Sequence, residues 1–355
     1  MMMTEVNMDK LEALAGKVVG DASAALGILL NYIGDQTGVF NAMADGQLRT
    51  AKTLAEVAKV DSRYLQEMLS ASAANGYVTY DNLSNKFSLS AEQAAVLAHE
   101  DSSANMQGLM QIIVAQYAEF ETAIDVFKTG KGRAWSEHHA CLFCGTDRFF
   151  RPGYEANLID QWLPALSGVQ DKLQQGGSIA DIGCGHGSSS LLLAKAFPKS
   201  TVYGSDNHAP SIASAKEKSR SAELDNLHFE VACATELQVS GGFDLACIFD
   251  ALHDMGDPVG AAQQIRKGLK PGGTLMVVEP MAGDQTEDNL HALGGVFYAA
   301  STLVCLPASR SQNIGLCLGA QAGPARITSV LEQAGFSSVR IAAKTPTNLV
   351  FEAIN

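Results

Sequence analysis

Two clusters of residues in this chain have the types and spacing to do chemistry. The first is Asp181-Ile-Gly183-Cys184-Gly185-His-Gly187, with glycine at every second position behind the run 178–182. Glycine lacks a Cβ, so such a turn lets bare backbone approach a nucleotide-like ligand closely. The third position after Gly185 is Ser188, so the G-x-G-x-x-G fingerprint of dinucleotide sites is not met. Asp206 lies 23 residues beyond Gly183, the separation of a strand–helix–strand unit, and can accept from both hydroxyls of a ribose. The second cluster is Phe249-Asp250-Ala-Leu-His253-Asp254-Met-Gly-Asp257, with Glu279 farther along. A hydroxyl nucleophile must lose its proton; a phenol titrates near pH ~10 in water, whereas histidine accepts a proton near neutrality. His253 has that chemistry, although a packed histidine holding a loop carries the same signature. Glu279, after a later strand, is placed to orient an imidazole, and Asp254 reads as a structural residue capping the next helix. Singly, glycines after a strand also make a plain tight turn, and an acid at a strand end is also merely solvated.

These residues need a frame. Strands are expected at 178–183, 201–206, 227–231, 243–249 and 274–278. Between them fall a helix through Leu191 to Leu193 ended by Pro198, a helix over 212–224, and one over 259–269 closed by Pro271-Gly272-Gly273. Strands alternating with helices imply a parallel sheet covered on both faces, with ligands outside the carboxyl ends of the strands. Asp181, Asp206, Cys233 and Asp250 all fall at those ends. A helix over 323–335 and two strands around Pro346 complete the chain. The stretch between Pro280 and Gly323 is far longer than an ordinary connection. Its Phe297, Tyr298, Leu303, Val304, Leu306 and Leu316 suit an apolar lid over the strand ends, which excludes water and favours a small, fairly apolar acceptor.

D-x-G-x-G at the end of a first strand, together with a terminal hairpin carrying one antiparallel strand, resembles class I S-adenosylmethionine-dependent methyltransferases. The resemblance covers 171–355 and implies an α/β, Rossmann-like seven-stranded sheet with a cap insertion at about 281–322. It implies that Gly183, Cys184 and Gly185 offer backbone amides to the methionine end of S-adenosyl-L-methionine. Asp181 then organises the turn near the ligand's amino group, and Asp206 holds the ribose. Asn207, Ala234 and Thr235 reach the adenine side, and Phe249 and Asp250 lie beside the sulfonium centre. The His253-Asp254 pair resembles the His-Asp motif of plant and bacterial O-methyltransferases, which makes His253 the general base and Glu279 its partner. The expected reaction is methyl transfer to a small-molecule acceptor, most simply a hydroxyl. A protein lysine methyltransferase, and a regulator that binds the same molecule as a ligand, remain open alternatives.

Ahead of this lies a mostly helical segment, 1–100. Leu29, Leu30, Ile33, Val39 and Phe40 suit one amphipathic helix ending at Asp45-Gly46. A helix over 53–60 follows, then one capped by Asp61 or Ser62 that stops at Asn75-Gly76. Tyr77-Val-Thr-Tyr, an Asp81-Asn82 turn and Lys86-Phe-Ser-Leu then read as a hairpin, which completes a winged-helix layout. A DNA reader would need bases on the second helix of the pair, but Arg63 faces Asp61 and Glu67 there, and Asp81 cancels Lys86 in the hairpin. Dimerisation is the better use of the module, as in many small-molecule O-methyltransferases that this chain resembles, so a homodimer is expected. Residues 101–170 read as helical linkers and a pocket wall, with Met106, Leu109, Met110, Ile113, Val114 and Tyr117 at helical spacing; plain core packing explains that spacing equally.

Composition bounds the partners. A net charge of −13 over 355 residues argues against a general nucleic-acid surface. Seven scattered cysteines do not form a disulfide framework, and no unbroken apolar run approaches a membrane span. The first ten residues lack the layout of a signal peptide, so a cytoplasmic location and no membrane partner are expected. His138, His139, Cys141 and Cys144 lie within seven positions and could ligate a metal. No second pair supports them, so no metal is expected, and a loop near the pocket mouth is the alternative.

Overall fold

The computed structural model describes residues 6–236 and 242–355. The chain divides into two compact units. One runs up to Tyr117 and takes in Cys144–Pro152; the other comprises Ala118–Phe143 and Gly153–Asn355.

In the first unit, α1 (Met8–Gln36) starts at Asn7, whose side chain accepts from the Lys10 amide. The single helix expected to run to Asp45 is broken at Thr37-Gly38. The Thr37 hydroxyl donates back to the Ile33 carbonyl at 2.7 Å, and Gly38 turns left-handed at φ 70°. That reversal folds α2 (Val39–Met43) back on α1 and buries Val39, Phe40 and Met43 almost completely. A Cβ at Gly34 would lie 2.7 Å from the Phe40 ring, so periodicity alone missed a turn built for close approach. The next elements follow the expected pattern: α3 (Ala51–Ala58), then α4 (Ser62–Ala74), whose cap Asp61 accepts from the amides of Arg63 and Tyr64. The wing is β1 (Thr79–Asp81) against β2 (Lys86–Ser88), antiparallel, and α5 (Ala91–Leu97) opens on a Ser90/Gln93 capping box.

The helix α6 (Gln107–Ala118) departs from its expected stripe: Met106 and Tyr117 stay exposed while Gln107 and Gln111 are buried. The reason is Arg148, whose guanidinium donates to Asp35 at 2.7 Å, Gln107 at 2.7 Å and Gln111 at 3.2 Å, and also pairs with Glu100. A charge taken out of water needs several acceptors, so polar residues face inward here.

The second unit opens with α7 (Phe120–Thr129), the two ends of α8 (Ala140–Asn157) and α9 (Val169–Gly176). It continues β3 (Ser178–Ile182), α10 (Ser188–Ala196), β4 (Thr201–Asp206), α11 (Ala209–Ser221), β5 (Leu227–Val231) and β6 (Phe243–Phe249). Then come α12 (Pro258–Gly268), β7 (Leu269–Pro280), α13 (Ala292–Ala300), α14 (Leu306–Ser311), α15 (Gly323–Gln333), β8 (Ser338–Lys344) and β9 (Asn348–Ile354). Among the described residues the sheet has seven strands in the order β5-β4-β3-β6-β7-β9-β8. Only β9 runs against its neighbours, so the expected Rossmann-like sheet with its terminal hairpin is present. Helices cover it: Ile265, Ile327, Val330 and Leu331 pack on Ile248, Leu275, Val277 and Phe351 in one buried cluster.

Pro271-Gly272-Gly273 does not close the preceding helix as expected. The helix already ends at Gly268, and β7 starts at Leu269, pairing Phe243 with Leu269 and then Leu245 with Thr274. The three residues form an irregularity inside the strand, where the left-handed Gly272 (φ 70°) absorbs the extra length. The membrane expectation also changes. By length and composition α1 and the helical run Ala292–Ser311 could each cross a membrane. They reach that threshold by averaging alanine, leucine and valine across a span with few charges, not by an unbroken apolar run. In the second run 44% of the span is buried inside the protein.

Phe229 on β5 holds the glycine loop against the sheet. Its ring lies 2.6 Å from where a Cβ on Gly187 would be, and 2.4 Å from where a Cβ on Gly204 would be. Gly204→Ala should therefore cost about 1–3 kcal/mol by overpacking, read as a lower urea midpoint. The added Phe229→Leu change should recover part of that loss; a Gly204→Ala midpoint equal to that of the parent would show that this contact does not constrain the fold.

Candidate functional site

The carboxyl ends of β3, β4, β6 and β7 bring the sequence-predicted residues together. At β3, Gly183, Gly185 and Gly187 are all left-handed, at φ 74°, 52° and 77°. A Cβ at Gly185 would meet nothing within 4 Å, so its left-handed backbone alone favours glycine there. The amides expected to face a ligand are spent inside the fold. Gly183 and Cys184 donate to the Ser205 carbonyl at 2.8 and 3.0 Å, and Gly185 donates to Asp206 Oδ2 at 2.9 Å. Asp206 Oδ1 accepts from the His208 amide at 2.8 Å. Asp206 is thus a brace between two loops, and each oxygen keeps a lone pair for a further donor. Asn207 is exposed next to it, and beyond β5 Ala234 is half-buried and Thr235 exposed.

Asp181 is completely buried. The hydroxyls of Ser189 and Ser190, in the first turn of α10, donate to its Oδ2 at 2.6 and 2.5 Å. Its Oδ1 is buried with no hydrogen bond among the described residues. Burial pushes this carboxyl up to about 6 against the two serine donors, and Asp206 adds to the rise. The serines were missed at the sequence level, although hydroxyls one turn beyond a strand-end acid were the available signal.

Asp250 follows β6 in the left-handed region at φ 48°, a strained setting for a residue with a Cβ. The Tyr154 hydroxyl donates to its Oδ2 at 3.1 Å and the Asn348 amide to its Oδ1 at 2.9 Å. Burial, with Glu279 second, raises its carboxyl to about 8. The Phe249 ring is buried beside Tyr154 (5.2 Å between centroids) and stacks toward Trp162 (6.5 Å), an aromatic wall whose tryptophan the sequence reading had not singled out.

His253 sits in the single-turn helix Leu252–Asp254, and Glu279 is near the end of β7 next to it. Their contact, Nδ1 to Oε2, is 2.6 Å, with both residues buried. Burial works to lower the His253 imidazole, but Glu279 and then Asp254 hold it well above its ordinary value. Asp254 does not cap the following helix; Asp257 does, accepting from the Gly260 amide at 2.8 Å. Asp254 instead turns toward His253, with Oδ1 3.2 Å from Nε2.

The 138–144 segment does not gather into a metal site. His138 Nδ1 contacts Glu119 at 3.2 Å, and His139 Nδ1 accepts from the Cys141 amide to cap α8. Among the described residues the converging group is His253, Asp254 and Cys305. His208 bonds Ser211 at 2.8 Å and packs against Phe143.

Comparison with known proteins fits this geometry. Residues 173–335 match a family model described as a methyltransferase domain, and residues 24–99 match one described as an Rv2258c-like winged HTH domain. Trans-aconitate 2-methyltransferase of Deinococcus radiodurans is 36% identical over 112 residues, 32% of this chain and 41% of that protein. Dimethylglycine N-methyltransferase of Parasynechococcus marenigrum is 32% identical over 143 residues, 38% of this chain and 49% of that protein. The chain thus spans less than half the length of either relative. Human N-acetylserotonin methyltransferase, solved in complex with SAM, is similar in fold at a TM-score of 0.72 and 14% identity, covering 100% of this chain and 99% of that one. Mitomycin 7-O-methyltransferase is similar at 0.68 and 19%, covering 98% and 100%. The chain thus resembles the methyltransferase domain family over residues 173–335 and the Rv2258c-like winged helix-turn-helix family over residues 24–99 ahead of them.

Proposed function

We propose that this chain is an S-adenosylmethionine-dependent methyltransferase that methylates a hydroxyl of a small, largely apolar acceptor, with His253 as general base. The observation that carries the reading is the buried His253–Glu279 contact at the same sheet end as the glycine loop. S-adenosylmethionine supplies a methyl group made electrophilic by its sulfonium. The residues present fit that molecule. Asp181 Oδ1, buried and without a partner among the described residues, suits an ammonium donor, and Gly185 leaves room for close approach. Asp206 retains acceptor capacity for ribose hydroxyls, with Asn207, Ala234 and Thr235 on the adenine side. Phe249 and the Asp250 carboxyl stand where a positive sulfur is stabilised.

Glu279 accepts from Nδ1–H and so selects the His253 tautomer whose Nε2 lone pair is free to take a proton. It also holds the imidazole in its charged form, so the base is loaded only as pH rises. Buried Phe297 and Val304 on the helical stretch after β7 support an apolar acceptor. The exposed Leu14, Val18, Val19 and Leu26 on α1 support a second copy of the chain as partner.

With an acceptor found by screening metabolites for a one-methyl mass gain, the acid limb of the kcat/KM profile should lie above the ordinary histidine value. His253→Ala should lower kcat by about 10²–10⁴-fold, and Glu279→Gln should move the limb to lower pH. An unchanged profile in both variants would remove the base assignment. Because the folded Asp250 carboxyl is raised to about 8, it is mostly neutral at pH 7 and ionised above pH 8. Calorimetric affinity for the cationic S-adenosylmethionine should therefore climb from pH 6.5 to 8.5 with proton release, by about tenfold, and Asp250→Asn should flatten that rise. No binding by folded protein at any pH would end the methyltransferase reading itself.

A further inference from the structure

Cys305 takes no part in the chemistry above, yet it touches its centre. It closes the π-helical turn Ser301–Cys305, inserted between α13 and α14, and it is 6% exposed. Such wide turns interrupt regular helices mostly where a function needs them. Here the turn brings Cys305 Sγ to His253 Nε2 and an Asp254 carboxylate oxygen, all three atoms within 4.8 Å of one another.

One further observation points to a ligand. Asp254 Oδ1 is buried without a hydrogen bond among the described residues, because its 3.2 Å approach to Nε2 lacks the alignment of one. The His253 imidazole carries a carboxylate on its Nδ1, Glu279 at 2.6 Å, which turns its Nε2 toward Asp254 at 3.2 Å. A carboxylate behind an imidazole is the usual support of a metal-bound histidine, since it fixes the ring and the tautomer.

We propose that His253 Nε2, Asp254 Oδ1 and Cys305 Sγ form a three-ligand binding site for a thiophilic divalent cation of the zinc class. Mixed nitrogen, sulfur and oxygen donors in a tetrahedral set suit zinc or cobalt(II) and exclude magnesium or calcium, which take oxygen. Binding releases the Cys305 thiol proton to solvent and forms a metal–thiolate bond, with no change in oxidation state. Bonds of about 2.0–2.3 Å require the ligand atoms to draw together by roughly 1 Å, which side-chain rotation supplies. A cation on Nε2 occupies the lone pair that would accept a proton, so metal occupancy and base function at His253 exclude one another. The site stands independently of the methyl-transfer reading.

The test is cobalt(II) titration of the full chain, reduced and stripped by chelator dialysis. One equivalent should give a thiolate-to-cobalt charge-transfer band in the near ultraviolet and tetrahedral d–d bands in the visible, both displaced by zinc. Cys305→Ser should lose the ultraviolet band, while Asp254→Asn keeps it and binds about 10–100-fold more weakly. If Cys305→Ser does not fold by circular dichroism, the weakening in Asp254→Asn serves in its place. Absence of the ultraviolet band in the parent protein overturns the site, as does its persistence in Cys305→Ser, which would place the thiolate elsewhere.

Discussion

The structure is governed by the desolvation of negative charge at one end of the sheet. Asp181 and Glu279 are buried, and Asp250 half-buried, at the carboxyl ends of neighbouring strands, where an ionised carboxylate is costly without a positive or hydrogen-bonding partner. The fold answers locally with two serine hydroxyls for Asp181, a tyrosine and an asparagine for Asp250, and an imidazole for Glu279. These answers are incomplete. Asp181 Oδ1 and Glu279 Oε1 remain without partners among the described residues, and the carboxyls of Asp181 and Asp250 stay well above the ordinary carboxylate range. A site that is under-satisfied toward cations is prepared for one, whether an ammonium, a sulfonium or a metal ion.

The same constraint organises the backbone. Asp206 does not wait idle for a ribose; it ties the glycine loop to the start of α11 through two amides. Asp250 is held in a left-handed conformation because its carboxyl must meet Tyr154 and Asn348 at once. Away from the sheet, Arg148 shows the complementary case, a half-buried cation that draws Asp35, Gln107 and Gln111 toward it. In each place a charge decides which residues are buried, overriding the apolar periodicity.

That explains which parts of the molecule were legible. The strands 201–206, 227–231 and 243–249 and the Asp61-capped helix were read to the residue, because their signals are local: alternation, runs of β-formers, a cap. The break at Gly38 was misread because a local threonine bond and a left-handed glycine outweigh apolar periodicity, and the inward glutamines of α6 and the irregularity at Pro271-Gly272-Gly273 because each is settled by a contact with a distant element. Within the site, the pairing of His253 with Glu279 was foreseen from strand order. The role of Asp254 was not, since Asp257 takes the cap that spacing had assigned to it.

By itself the sequence determined the strand–helix alternation, the glycine loop and the acids at the strand ends, because these depend on residues close together in the chain. Only the tertiary structure decided which amides are already spent, which carboxylate oxygens stay unsatisfied, and that Cys305 meets His253 across 52 residues of chain. The physical reason is range. Backbone preference acts over a few residues, whereas burial, charge and hydrogen-bond satisfaction are properties of whatever the fold places within a few ångströms.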